Sequence, residues 1–142
     1  MATYYVNEAA FALPERGFVD RTLHRLESPL SGEDPLRIEI RRLPMEAGKS
    51  LRQLVDAEVL ANKENVAGFT LADETEINLG GAPAILLRAR LRARDMVYIQ
   101  LQAHVAFGEM WIALVITGPS TDRAACEETF DRMLASLEWR TG

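Results

Sequence analysis

The chain has few of the residues that build disulfides, metal sites and catalytic centres. It contains one cysteine, Cys126, and two histidines, His24 and His104, in 142 residues. One cysteine excludes an internal disulfide, as expected of a reduced cytoplasmic protein. The absence of H-x-x-x-H, C-x-x-C and G-x-S-x-G motifs disfavours a zinc site and an activated serine. We therefore expect a protein without catalysis, metal or cofactor.

Long apolar runs are also absent. No window is apolar over the length that crosses a bilayer, and the first residues lack the basic start and apolar stretch of a signal peptide. We accordingly predict a cytoplasmic protein that does not insert into a membrane. No fixed-period repeat, low-complexity segment or linker divides the sequence, so residues 1–142 are predicted to form a single domain.

Positive charge is outnumbered by negative charge, with 16 Lys and Arg residues against 21 Asp and Glu residues, but it is concentrated in one place. The formal net charge of −5 disfavours nucleic acid as a partner, because phosphate binding needs a cationic surface. Arg88, Arg90, Arg92 and Arg94, here called the arginine row, alternate with apolar residues. We interpret this row as the solvated side of a β-strand.

The stretch from Ala84 to Thr117 dominates the pattern. Apolar and polar residues alternate with a period of two, which predicts three consecutive antiparallel strands. A three-residue loop at 94–96 would pair Ala93 with Val97 and keep apolar residues opposite apolar residues. We use this register to assign side chains to the two sheet faces.

The next connection carries its own signal. A two-residue loop at Gly108 and Glu109 suits a type II′ turn, whose first central position favours glycine. With both loops in place, one face is aliphatic. The other combines the arginine row with the side chains of Gln100, Gln102, His104, Trp111, Ala113 and Val115. Two interpretations of this mixed face remain open: it binds an apolar partner, or a helix or a second protomer covers it.

The remaining strands are predicted from shorter patterns. Alternation of Leu36, Ile38 and Ile40 with charged residues predicts a strand over 36–43. Further strands are expected over 18–26 and 69–79, and two extended pieces within 3–13.

Two helices are predicted. Ser50 with Gln53 forms a capping-box pattern, and the apolar spacing that follows predicts a helix ending near Asn65. A second helix follows Pro119, capped by Ser120 or Thr121. Its apolar residues recur at helical spacing, so Cys126 is interpreted as a packing residue. A short final strand is expected over 137–140. The buried stripe of the second helix comprises Cys126, Phe130, Met133 and Leu137.

The N-terminal sequence resembles a known family. The run YYVNEAAFALP, followed by a turn and VDRTLHRL, resembles the opening of the DcrB-related family, and within it the Eag chaperones of bacterial type VI secretion. The order of the later strands and helices, and the C-terminal LASLEW, agree with that family. The resemblance implies an α+β fold of the Mog1/PsbP-like kind, an antiparallel sheet with two main helices packed on one face. The residues that carry it are Tyr5, Asn7, Glu8, Phe11, Leu13, Pro14 and Asp20.

The resemblance also implies a function. Eag chaperones are cytosolic dimers that bind the N-terminal transmembrane helices of an effector, of Rhs or PAAR-linked type, until it is loaded on the secretion spike. The aliphatic positions of the family's groove match Leu23, Ile38 and Ile40 here. The strand register adds polar and aromatic positions, and it places the arginine row at the rim of the same face. The predicted effector-helix site is therefore Leu23, Ile38, Ile40, Gln100, Gln102, Trp111 and Val115.

Two alternative hypotheses belong to other functional classes. One is a Mog1-like regulatory scaffold that binds a globular protein through its loops. The other is a small-ligand binder, or an enzyme, with a cavity near His104 or His24.

Overall fold

A computed structural model describes residues 2–5, 10–13, 23–28 and 34–140 of the chain. The start of the strand predicted over 18–26 and the segment 6–9 lie outside these residues. Two short strands, β1 (Ala2–Tyr5) and β2 (Ala10–Leu13), pair antiparallel in a small sheet of their own. They correspond to the two extended pieces predicted within 3–13.

The main sheet has six strands, and every neighbouring pair is antiparallel. Their spatial order is β3-β4-β8-β7-β6-β5. The strands β6, β7 and β8 are the meander predicted between residues 84 and 117, and two of them lie at the centre of the sheet. The strands are β3 (Leu23–Ser28), β4 (Leu36–Pro44), β5 (Thr70–Leu79), β6 (Ala82–Ala93), β7 (Met96–Phe107) and β8 (Met110–Pro119).

The first helix, α1 (Leu51–Asn65), follows its sequence signals closely. The Ser50 hydroxyl accepts from the backbone N–H of Gln53 at 3.2 Å, and the Gln53 side chain accepts from the backbone N–H of Ser50 at 2.9 Å. The predicted capping box is therefore confirmed. One sheet face, called the α1 face, packs beneath it. The apolar cluster between them contains Leu51, Leu54, Val55, Val59, Phe69, Ile85, Leu87, Ala89 and Trp111.

The second helix, α2 (Arg123–Ala135), packs on the other side of the sheet, called the α2 face. Its buried Cys126 and Phe130 contact side chains that alternate along β7 with those of the α1 face. The prediction that both helices pack on one face is therefore wrong. The central strands bury apolar side chains on both faces of the sheet, so one helix covers each face. The α2-face cluster contains Leu36, Ile99, Leu101, Ala103, Ile116, Cys126 and Phe130.

The ends of α2 differ from the sequence predictions. A 3₁₀ turn takes up Ser120–Asp122, so the helix begins at Arg123 and neither predicted residue caps it. Residues 137–140 form no strand. Instead, the Trp139 ring stacks on Phe107 with 4.4 Å between ring centroids, and its indole N–H donates to the carbonyl oxygen of Leu79 at 2.9 Å. A side-chain anchor thus replaces the predicted strand.

The turn between β6 and β7 changes the register predicted for the meander. Ala93 pairs with Met96, so the loop has two residues, Arg94 with φ 50° and Asp95 with φ 61°. Two positive φ angles are what a type I′ turn requires, and a turn of this type matches the right-handed twist of the flanking strands. A one-residue slip exchanges the faces, so Arg90 lies opposite Ile99 on the α2 face.

The turn between β7 and β8 is confirmed. Phe107 pairs with Met110 across a two-residue loop, and Gly108 has a φ of 60°. Ile112, Leu114 and Ile116 consequently pair with the aliphatic residues of β7, as predicted.

Candidate functional site: an apolar cleft and a polar row

The predicted effector-helix residues fall into two sets on opposite faces of the sheet. Ile38 and Ile40 lie on the α2 face, where they pair with Ile116 and Leu114. The remaining residues lie on the α1 face, and Leu23 joins them at the edge strand opposite Arg41. The structure therefore does not bring the seven residues into one surface. The α1-face set comprises Leu23, Gln100, Gln102, Trp111 and Val115.

Most of the α1-face set is buried within the chain itself. Trp111 is 9 % exposed, Val115 6 % and Gln102 3 %. Trp111 belongs to the cluster that α1 covers. Of the two interpretations of the mixed face, the covering helix is the one observed at Trp111.

A continuous row of hydrogen bonds runs through these buried residues. The Trp111 indole N–H donates to Nδ1 of His104 at 3.0 Å, and Nε2 of His104 lies 2.7 Å from Oε1 of Gln102. The Gln102 amide donates to Oε1 of Gln100 at 2.6 Å, and the Gln100 amide donates to Oγ1 of Thr117 at 3.2 Å. We call these five residues the polar row.

The direction of the polar row follows from its first member. An indole N–H only donates, so Nδ1 of His104 must accept and the imidazole hydrogen must sit on Nε2. That hydrogen is donated to Gln102, which leaves each glutamine accepting at its oxygen and donating from its nitrogen. Trp111 therefore sets the orientation of every group up to Thr117.

His104 is fully buried, and its surroundings keep it neutral. Burial lowers the pKa of His104 from 6.5 to about 4, with Arg41 lowering it further and Glu58 opposing. Glu58, on α1, pairs with Arg41 at 2.7 Å, and its other oxygen is buried without a hydrogen-bond partner, 3.8 Å from Nε2 of His104. The helix thus places its own carboxylate beside the polar row.

The α2 face offers a different kind of site. A cavity of about 110 Å³ lies between the sheet and the C-terminal end of α2, and every side chain that lines it is apolar. We call it the apolar cleft. Ile40 is the only predicted site residue in its wall. The others come from β5, β7, β8, α2 and the tail: Leu79, Ala103, Val105, Ile112, Leu114, Met133, Leu134, Leu137 and Trp139.

The sequence reasoning missed the contribution of α2 and the tail to this cleft. The helical spacing of Met133 and Leu137 predicts only a core stripe, and Trp139 falls within the predicted final strand. The signal available was an apolar residue at every turn near the helix end, continued by a tryptophan. Towards the edge of the sheet, Ile38 and Leu26 extend the same face, and Leu26 is 53 % exposed.

The four residues of the arginine row do not share one environment in the structure. Arg88 forms an ion pair with Glu127 of α2, and Arg94 reaches Asp34 at 3.3 Å. The hydrogen bond from Arg88, with a smaller contribution from Arg123, lowers the pKa of Glu127. Arg88, Arg90 and Arg92 therefore lie on the α2 face, away from Gln100 and Gln102, contrary to the sequence prediction.

In the part of the chain that the structure describes, no group of three or more His, Cys, Asp or Glu side chains is placed to hold a metal ion. Neither helix of this part has the length and apolar composition that crossing a membrane requires.

Solved structures with the same architecture identify the fold class. PA94 from Pseudomonas aeruginosa, a protein of unknown function, superposes with a TM-score of 0.83 at 19 % identity, over 100 % of this chain and 99 % of its own. LpqN of Mycobacterium tuberculosis, involved in cell envelope biogenesis, matches with a TM-score of 0.60 at 14 % identity, over 80 % of this chain and 78 % of its own. Cyanobacterial PsbP from Synechocystis matches with a TM-score of 0.56 at 12 % identity, over 89 % of this chain and 95 % of its own. The predicted α+β, Mog1/PsbP-like fold is confirmed.

Sequence comparison gives the family. The DcrB family model matches residues 8–136, most of the chain, so the protein belongs to the DcrB family. No curated protein sequence matches it.

Proposed function

We propose that this DcrB-family protein is a non-enzymatic cytoplasmic adaptor that binds another protein, and specifically a chaperone for the N-terminal transmembrane helices of a type VI secretion effector of the Rhs or PAAR-linked type. It would keep those helices soluble until the effector is loaded on the spike. The observation that carries the proposal is the wholly apolar lining of the cleft on the α2 face.

The dimensions of the cleft suit one large side chain of a helix. Its volume of about 110 Å³ is of the same order as an apolar cavity of about 150 Å³ that binds benzene. An apolar helix presents anchors three and four residues apart, so one anchor fills the cleft while its neighbours lie on Leu26 and Ile38. Burial of one such side chain contributes about 2 kcal/mol.

The burial of the polar row changes which predicted residues the proposal uses. Gln102 and Trp111 are buried and form their hydrogen bonds within the polar row, so they do not contact the effector. The effector contacts are therefore assigned to Ile38 and Ile40, with Leu26 added. Leu23 is assigned instead to a homodimer interface, which is also part of this proposal. All six residues of β3, the last strand of the described sheet on that side, are exposed, and Leu23 is 50 % exposed.

The test is co-expression with the N-terminal transmembrane segment of a type VI effector of the Rhs or PAAR-linked type. We expect the wild-type protein to keep that segment soluble and to co-purify with it. Ile40→Glu and Leu26→Glu should weaken retention at least tenfold, because each places a charge against an apolar helix. Leu60→Glu is the matched control, since Leu60 is 59 % exposed on α1 at the opposite face.

Thermal unfolding of each variant separates loss of binding from loss of folding. Leu26 is exposed, so its variant should melt close to the wild type. If folded Leu26→Glu and Ile40→Glu retain the segment as well as Leu60→Glu does, the cleft is not the binding site. Binding of a folded globular partner through the loops, with no retention of the apolar segment, would favour the Mog1-like scaffold.

A further inference from the structure

A second cleft lies on the α1 face, on the opposite side of the sheet from the apolar cleft. It has a volume of about 150 Å³, and its polar lining consists of Asp34, Arg37, Arg94, Tyr98 and Thr117. We call it the polar cleft. Thr117 is also the last member of the polar row, so the row ends in this cleft.

The hydrogen-bond acceptors of the cleft wall are already in use. Asp34 accepts from the Tyr98 hydroxyl at 2.8 Å through one oxygen and from Nη2 of Arg94 at 3.3 Å through the other. The hydrogen bond to Asp34 raises the pKa of Tyr98, so the phenol keeps its proton and its bond. Each oxygen of Asp34 therefore already accepts one hydrogen bond, and the Tyr98 hydroxyl hydrogen is committed to Asp34.

The hydroxyl of Thr117 keeps a hydrogen to donate. Its oxygen accepts from Gln100, which leaves the hydroxyl hydrogen available for another acceptor. The orientation of Gln100 is fixed through Gln102 and His104 by the Trp111 indole, which cannot accept. The buried row thus leaves Thr117 with a hydrogen to donate at the mouth of the cleft.

The guanidinium groups of the lining point to the same class of ligand. Arg94 pairs with Asp34 through Nη2 and Arg37 pairs with Glu27 through Nε, so these four charges balance. A guanidinium has five N–H donors, so each arginine keeps further donors beside the one that its carboxylate partner uses. A planar carboxylate matches the fork of these donors.

We propose that the polar cleft binds a carboxylate through the Thr117 hydroxyl and the guanidinium groups of Arg37 and Arg94. The carboxylate belongs either to a small free acid or to the C-terminus of a peptide, because the recognising groups are the same. This site is independent of the apolar cleft and of the effector proposed for it.

The test follows backbone amide NMR signals during titration with propionate, with a short peptide that has a free C-terminus, and with the same peptide amidated. We expect saturable shifts at Thr117, Gly118 and Tyr98 with a free carboxylate, and none with the amide. Thr117→Val keeps the shape and removes the donor, so affinity should fall about tenfold. Thr75→Val, at an exposed threonine of β5, is the matched control and should bind like the wild type.

A longer-range test uses the first member of the row. Trp111→Phe removes the donor that orients the row, so affinity should fall by about threefold. A double variant, Trp111→Phe with Thr117→Val, should be no weaker than Thr117→Val alone, because Trp111 acts only through Thr117. If the affinity losses of the two single variants add up in the double variant, the effect of Trp111→Phe is instead general destabilisation.

Saturation by propionate identifies a free acid as sufficient, and saturation by the peptide alone identifies a protein C-terminus; either result supports the proposal. The absence of saturable shifts with both probes overturns it. Unchanged affinity in folded Thr117→Val overturns it as well. If Thr117→Val does not fold, Arg94→Gln replaces it, because Arg94 has an 81 % exposed side chain and should lose affinity without unfolding.

Discussion

The two faces of the central sheet are built by different interactions from the same three strands. The core of the α2 face is apolar, and dispersion and the hydrophobic effect hold it without directional requirements. The α1 face buries a histidine, a glutamine and a tryptophan, and each depends on the hydrogen bond of the next. The difference teaches that apolar packing tolerates the loss of a few atoms from one side chain, whereas a polar row transmits the loss of any one member.

The largest expected effect tests this contrast at the centre of the polar row. His104→Leu leaves the Trp111 N–H and the Gln102 oxygen buried without partners, and each costs about 1–3 kcal/mol, so the free energy of unfolding should fall by about 4 kcal/mol. Ile116→Val, equally buried on the α2 face, should cost only about 1 kcal/mol. Urea denaturation measures both. Similar losses at the two positions would remove the proposed difference between the faces.

The dependence of stability on pH sharpens the same contrast. The pKa of His104 is about 4 in the folded chain and about 6.5 when unfolded, so between these values only the unfolded chain gains a proton. Stability from this group is complete above pH 6.5 and is lost as the pH falls towards 4, by about 3 kcal/mol in total.

His104→Leu lacks this proton, so its unfolding free energy should approach that of the wild type as the pH falls. The difference in unfolding free energy between Ile116→Val and the wild type should stay constant over the same range. If the difference between His104→Leu and the wild type does not become smaller, burial does not keep His104 neutral. The measurement is urea denaturation at about pH 7 and about pH 4.

The smallest effect concerns the rim of the α2 face. Arg88 and Glu127 have side chains that are 41 % and 31 % exposed, so Arg88→Met should cost at most about 0.5 kcal/mol. The pKa of Glu127 should rise towards its ordinary value, because the Arg88 hydrogen bond is the main cause of its lowering. Carbon-13 NMR titration measures this. Arg90→Met is the control, and a Glu127 pKa that moves equally in both variants would contradict the pairing.

Local signals predicted what depends on neighbours in the chain. Ser50 and Gln53 define the start of α1, and its apolar spacing predicts the four buried positions. The Gly108 turn is equally local. By contrast, the turn at Arg94 and Asp95 contains no glycine, so nothing in its composition favoured a type I′ turn over a longer loop.

The sites depend on contacts between distant elements, and the sequence was correspondingly less informative. Matching apolar residues across β6 and β7 specifies one register only when one face of the sheet is exposed to water. Here both faces of the sheet carry buried residues, so more than one register places apolar residues opposite each other. Gln102 and His104 were visible as alternating polar residues, but their role needs the Trp111 indole and the cover of α1. The apolar cleft needs Leu79 and Trp139, which are 60 residues apart.

The two tryptophans of the sequence also have an optical consequence. Trp111 touches His104, and a protonated imidazole quenches indole emission, so its fluorescence should report the charge of the polar row. Trp139 stacks on Phe107 and lines the apolar cleft, so its emission should shift when a bound helix excludes water. A pair of single-tryptophan variants would therefore give each face its own spectroscopic channel, without an added dye.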